Sequence, residues 1–263
     1  MKTSFVVDAH LHVGLPGVFF APRTDSEQLL WFMDNLNIQY SVCTDQLSVL
    51  EGCRAGIEHL RQIFEKSAGR IYYLGVFHPK YAKESISILK KAVKCAGFAG
   101  LKIHPSLHHT FADDDVYESA WQFAAEHDVA ILTHSWSVSD YNPVQKYSTP
   151  LLFEKFVRKF PQVRFVLGHF GGRGTGRHEA VRMVNDYPNV YGDFAGDIFD
   201  YELIENLVKS APAEKILFGS DFPWLDPRAH LSRVLLADID DSIKRKILRD
   251  NAICVYKVGE KKC

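Results

Sequence analysis

What most limits the fold of this chain is an alternation. A short apolar run is followed by a segment with helical spacing, eight times over. The runs are FVVDAHLH (5–12), YSVCT (40–44), YYLGVFH (72–78), FAGLKIH (98–104), AILTH (130–134), RFVLGH (164–169), VYGDFA (190–195) and ILFGSD (216–221). They are rich in Val, Ile, Leu, Phe and Tyr, and several are apolar on both faces, as strands of a helix-covered parallel sheet are. Between them, SEQLLWFMDNL follows Asp25, a good N-cap, and GIEHLRQIFEKSAG stops at Gly69. Further helical segments start at Glu84, Asp115, Pro150, His178 and Tyr201, and SIKRKILRDNAICVY closes the series. Strand–helix units of roughly 30 residues, repeated eight times, predict a (β/α)8 barrel, one domain over 1–263. A doubly wound open sheet is the competitor, but no GxGxxG turn follows the first strand.

Composition narrows the partners. Lysine plus arginine total 31 against 32 acids, a formal net charge of -1, which gives no electrostatic footprint for nucleic acid or an anionic membrane. No apolar run reaches the roughly 18 residues of a membrane span. The opening MKTSFVVDAH has too short an apolar run for a secretory leader. Five cysteines form no CxxC pair, so free thiols in a reducing cytoplasm are expected. A small-molecule substrate is the expected partner, and a homodimer is compatible with the composition.

The strand ends carry the chemistry. Residues two apart on a strand share a face, so His10 and His12 project together, with Asp8 one step deeper. An isolated HxH is more often a pair of core histidines bonded to backbone. Here His134 ends the fifth strand, His169 the sixth and Asp221 the eighth; Lys102 and His104 share a face of the fourth, and His78 closes the third. In a barrel these ends meet on one rim, where active sites sit. Imidazoles with a carboxylate suit zinc above all, as one or two ions, with manganese, iron and cobalt as the other candidates. Lys102 reads as a carbamate bridge between metals, a cation facing a substrate carboxylate, or a lysine paired with an acid. His104 is placed to line the pocket or to make an ordinary hydrogen bond. In GGRGTGR (171–177), Arg173 and Arg177 either pair with a substrate carboxylate or are solvated on a flexible loop. The loop 135–148, with three aromatics, shapes access to the rim or simply packs over it. Asp113, Asp114 and Asp115 read as a helix start.

The set DAHLH, LKIHP, LTH, LGHFGG and FGSDFPW resembles the amidohydrolase superfamily, in its amidohydrolase-related branch of hydrolases and aminocarboxymuconate-semialdehyde-type decarboxylases. The resemblance runs from about residue 6 to residue 252 and keeps the order of the motifs. It implies His10, His12 and His134 as metal ligands, and Asp221 as a ligand that also exchanges a proton with bound water. It makes His169 either a ligand to a second ion or a catalytic group, and puts Lys102 on the strand of a carbamylated lysine. The leading expectation is a metal-dependent hydrolase acting through activated water on an amide, lactone or ester of a small carboxylated molecule. The alternatives are a metal-dependent nonoxidative decarboxylase and a metal-binding or sensory barrel without turnover.

Overall fold

Eight parallel strands arranged in chain order make up the barrel wall in the computed structural model, which describes residues 5–14 and 25–259. They are β1 (Val6–Val13), β2 (Ile38–Asp45), β3 (Ile71–Val76), β4 (Phe98–Ile103), β5 (Ala130–His134), β6 (Phe165–Gly168), β7 (Val190–Asp193) and β8 (Ile216–Leu217). Each pairs with the next. The seam between β8 and β1 is bridged by backbone hydrogen bonds from Ala9 N to Phe218 O (2.9 Å), Asp221 N to His10 O (2.9 Å) and His12 N to Phe222 O (2.6 Å). The expected (β/α)8 barrel is the fold. Residues 1–4 of the opening stretch read for a leader, and Cys263, lie outside the described residues.

Alternate strand residues divide into two apolar layers. Val7, Ala9, Val42, Leu74, Ala130, Leu132, Val166 and Leu217 pack inside, where Ala252, Val255 and Tyr256 of the Asn251–Tyr256 helix close the N-terminal end. Val6, Leu11, Val13, Tyr73, Leu101, Ile131, Phe165 and Leu167 face the helices, in a layer that includes Trp121 and Phe156 stacked at 5.7 Å. Fully burying a Leu or Phe stabilises the fold by about 1.5–3 kcal/mol, so this double layer supplies the main driving force.

A break in the alternation aims the first motif. Val7 and Ala9 are inside, so strict alternation would put Leu11 inside as well, yet Leu11 and Val13 lie in the outer layer. The β1–β2 register shifts between Asp8 and Leu11. Such a bulge reverses the face of everything after it. It turns His10 and His12 into the barrel and takes Asp8 out of line with them. The expectation that Asp8 continues their face is corrected on this point.

Element ends differ from the sequence pattern where local chemistry intervenes. β3 stops at Val76, and His78 caps the short turn begun by Pro79, whose ring cannot continue the ladder. β8 pairs over two residues only, leaving Asp221 in the turn beyond it. The helix Gly174–Asp186 starts inside the glycine-rich stretch read as a loop. A Cβ on Gly176 would lie 2.2 Å from Gly171 O, so only glycine lets this first turn pack there. The helix Pro227–Leu236, capped by Asp226 with Pro227 in its first turn, was not among the expected segments. Asp114 caps a short helical turn, Asp115–Tyr117, as the acidic run suggested. The four described cysteines are unpaired. Among the described residues no helix is long and apolar enough to cross a membrane.

Candidate metal centre

His10 stands at the centre of the C-terminal mouth of the barrel, fully buried. Glycines make its space: a Cβ on Gly219 would lie 2.8 Å from its Cβ, and one on Gly168 would lie 3.1 Å from its Cε1. Its Nδ1 is 3.0 Å from Asp193 Oδ2, and Lys102 Nζ donates to its Nε2 at 2.9 Å. Asp221 Oδ1 lies 3.2 Å from His12 Nε2. Two overlapping sets of side chains that could hold a metal ion result. His10, His12 and Asp221 form one, and His10, His169 and Asp193 form the other; within each set the ligand atoms lie within 4.8 Å of one another.

The residues fit a divalent cation. Asp221 Oδ1 and His12 Nδ1 are buried, and neither has a hydrogen-bond partner. The His12–Asp221 approach is close but lacks hydrogen-bond alignment, as expected where an ion would complete the contact. Burial pushes the Asp221 carboxyl up, but contact with His12 and the neighbouring histidines more than offsets this, holding it well below the usual carboxylate range. Burial lowers the imidazoles of His10, His12, His104 and His134 from their ordinary value, toward the neutral form that a metal ligand needs. Burial also brings Lys102 down to about 8, against the pull of Asp193 and Asp221. Asp8 is pushed up to about 7 by burial. Its Oδ1 accepts from the N–H of His10 (3.2 Å) and of Ser220 (3.0 Å), which stitches the β8–β1 seam under the site.

The two turns that present His169 and Asp221 are unusual. His169 has φ 63° and Asp221 φ 58°. Non-glycine residues in this region cost of order 1–3 kcal/mol and concentrate at functional sites.

The other expected residues are placed as follows. His134 lies beside the cluster but outside both sets: its ring meets His169 at 4.8 Å and stacks on His104 at 4.3 Å, and its Nε2 is 2.9 Å from Gln145 Oε1. His104 Nδ1 accepts from Leu107 N, capping the turn after β4. The His78 and His108 rings lie 4.1 Å apart, tilted by 36°, further along the rim. Arg173 and Arg177 tie the loop after β6 to the loop after β7. Arg177 pairs with Asp200 and donates to Gly172 O at 2.7 Å, and Arg173 pairs with Asp197.

Four contributors escaped the sequence reading. Asp193, within VYGDFA and last in β7, offers the same signal as Asp221, a carboxylate on an apolar strand. Gln145 sits in the loop 135–148 and also accepts from Ser106 Oγ at 2.8 Å, so that loop inserts a polar group beside His134 as well as covering the rim. Trp136 approaches His169 at 5.4 Å, and Trp224 approaches His12 at 6.2 Å. The Trp136 ring rests against Gly172, where a Cβ would come within 2.5 Å of it. Trp136 is one of the three aromatics of the loop 135–148 and Trp224 ends FGSDFPW, so the sequence brought both near the rim without saying which histidine each meets.

The family model described as amidohydrolase matches residues 7–258. The chain belongs to the amidohydrolase family. No curated protein matches this chain in sequence. Among solved structures it resembles 2,6-dihydroxybenzoate decarboxylase from Rhizobium, with a TM-score of 0.79, 15% identity, and coverage of 98% of this chain and 100% of that one. It also resembles dihydroxybenzoic acid decarboxylase from Polaromonas sp. JS666, solved with manganese and the inhibitor 2-nitroresorcinol (TM-score 0.77, 14% identity, 99% of each chain). A third is 5-carboxyvanillate decarboxylase from Novosphingobium aromaticivorans with manganese and 4-hydroxy-3-methoxy-5-nitrobenzoic acid (TM-score 0.76, 13% identity, 96% of each chain). At these identities the likeness is one of fold.

Proposed function

We propose that this amidohydrolase-family enzyme is a metal-dependent nonoxidative decarboxylase of a small carboxylated aromatic compound. The observation that carries the reading is the cluster His10, His12 and Asp221 with indoles close by at His12 and His169. Flat aromatic walls beside a cation site suit a planar aryl acid. The similar decarboxylases, two of them with manganese and an aromatic nitro compound bound, add support. This reverses the order of the two chemistries expected from the motifs, where hydrolysis came first.

His10, His12 and Asp221 would hold the cation, with His134 and His169 adjacent. When bound, the cation supplies positive charge that orients the substrate's oxygens and withdraws electrons from them. Lys102 adds a second positive charge beside the same atoms. Trp136 and Trp224 hold the ring and exclude water. The carbon–carbon bond to the carboxylate breaks, carbon dioxide leaves, and the electron pair stays on the ring carbon, which takes a proton. Lys102 and His169 are the proton-carrying groups next to the cluster. Manganese is the first ion to supply, and zinc the second.

The test is a panel of hydroxylated and methoxylated benzoates with manganese-loaded protein in ¹⁸O-water. Carbon dioxide release, with a hydrogen in place of the carboxylate and no ¹⁸O in the aromatic product, is expected. Turnover of amides, esters or lactones with ¹⁸O incorporation would restore hydrolysis. Tight manganese binding with no turnover of any compound would favour a binding protein.

A further inference from the structure

We propose that Asp193 is the positioning residue of the metal centre: it fixes which nitrogen of His10 carries the hydrogen and pins the turn that presents His169. The inference rests on the proposed metal site, and it concerns a residue that no motif picked out.

Asp193 is fully buried at the end of β7. Its Oδ1 accepts from two backbone N–H groups, those of His169 (3.0 Å) and Ala195 (3.1 Å). Its Oδ2 faces His10 Nδ1 at 3.0 Å. Backbone N–H groups can only donate, so Oδ1 is committed as an acceptor. Burial raises the Asp193 carboxyl, but His169, Lys102 and the two backbone N–H groups oppose this; as a carboxylate it has no hydrogen to give, so at Oδ2 the ring nitrogen donates. The far side of the ring demands the same arrangement, because an ammonium can only donate and Lys102 Nζ is 2.9 Å from Nε2. His10 is thereby held with Nδ1 protonated and with the Nε2 lone pair free to go to an ion in place of the lysine. The His169 ring is aimed in the same way, with Nδ1 donating to Ala195 O at 2.9 Å. One carboxylate therefore ties β1, the turn after β6 and the turn after β7 into a single geometry.

Asn is the discriminating substitution because it keeps the shape and loses one acceptor. In Asp193→Asn the amide oxygen can serve the two backbone N–H groups, but then the NH₂ points at His10 Nδ1, donor against donor. His10 then either moves its hydrogen to Nε2, closing the ligand atom, or gives up the contact.

The experiment has two readouts. Ring ¹⁵N–¹H correlation spectra of the metal-free protein at pH 7.5, with His10 assigned by the signal lost in His10→Asn, report the tautomer. Calorimetric titration with manganese reports affinity. Expected are an Nδ1–H tautomer in wild type, a shift toward Nε2–H in Asp193→Asn, and manganese affinity weakened about 10–100-fold, the usual range for losing the carboxylate behind a metal-bound histidine. An Nε2–H tautomer in wild type would overturn the proposal even if the variant does not fold. So would Asp193→Asn with unchanged tautomer and affinity. Wild-type protein that binds no manganese or zinc would overturn the metal reading itself, a different failure from a wild type that binds while the variant binds equally well.

Discussion

Gly219→Ala adds one methyl group 2.8 Å from His10 Cβ and 3.1 Å from Ala195 Cβ, where ordinary contacts begin at 3.4 Å. Relieving the closer contact requires movement of about 0.6 Å, the difference between 3.4 and 2.8 Å. His10 cannot retreat freely, since it is tied to Asp193 at 3.0 Å and Lys102 at 2.9 Å. Backbone movement is resisted too, because Asp221 N bonds His10 O and Ala9 N bonds Phe218 O across the same seam. Overpacking of this kind costs about 1–3 kcal/mol. A central value of about 2 kcal/mol lowers Tm by roughly 4–8 °C in a domain of this size. A His10 ring displaced by several tenths of an ångström also leaves the geometry a cation needs, so manganese affinity should fall at least about tenfold. Differential scanning fluorimetry and calorimetric titration measure the two effects on one preparation. A lowered Tm with wild-type manganese affinity would show that His10 is not a ligand, and no change in either would refute the packing argument.

His12→Ala and Asp221→Ala should each abolish turnover while leaving the circular dichroism of the barrel unchanged; retained turnover in either variant would contradict the assigned roles. Gln145→Leu removes the acceptor for His134 Nε2 and Ser106 Oγ. It should cost about 1–3 kcal/mol in urea unfolding, because the half-buried His134 Nε2 loses its partner while Ser106 Oγ keeps only Ser148 Oγ. A neutral result would mean that those donors find other partners. His59 is raised by its hydrogen bond from Nδ1 to Asp45 Oδ2 at 2.8 Å, against a smaller opposing effect of burial. A folded-state value above the unfolded one means that this contribution is fully present below about pH 6.5 and is lost as pH rises through the folded value. The His59 side chain is half exposed, so the stability gap between wild type and His59→Ala should stay under about 1 kcal/mol. It should be larger at pH 6 than at pH 9, and a gap that grows with pH would contradict the pairing.

The barrel was legible because its strands are apolar on both faces and regularly spaced, a pattern that few other folds satisfy. Legibility was weaker wherever two elements that are distant in sequence decide a detail. His10 and His12 were expected on one inward face, and they are there, but through a bulge set by the pairing of β1 with β2. Without that shift the same residues would face the helices. His169 and Asp221 were read as strand ends, whereas both sit in left-handed turns beyond their strands. Those conformations are stabilised by tertiary hydrogen bonds such as His169 N to Asp193 Oδ1. Arg173 and Arg177 looked available to a substrate because their partners, Asp197 and Asp200, lie one strand–helix unit later in the chain. Asp193 was readable by the reasoning applied to Asp221, since each is a carboxylate on an apolar run. The helix at Pro227–Leu236 carried ordinary start signals in Asp226 and Pro227 and apolar residues at helical spacing in Leu231, Val234 and Leu235, so it too was legible.

The most direct measurement of the central claim is anomalous diffraction from a crystal grown with manganese. A peak bonded to His10, His12 and Asp221, at the mouth between β1 and β8, is the expected result. A crystal of folded protein with the manganese peak elsewhere, or with no peak at millimolar manganese, would contradict it.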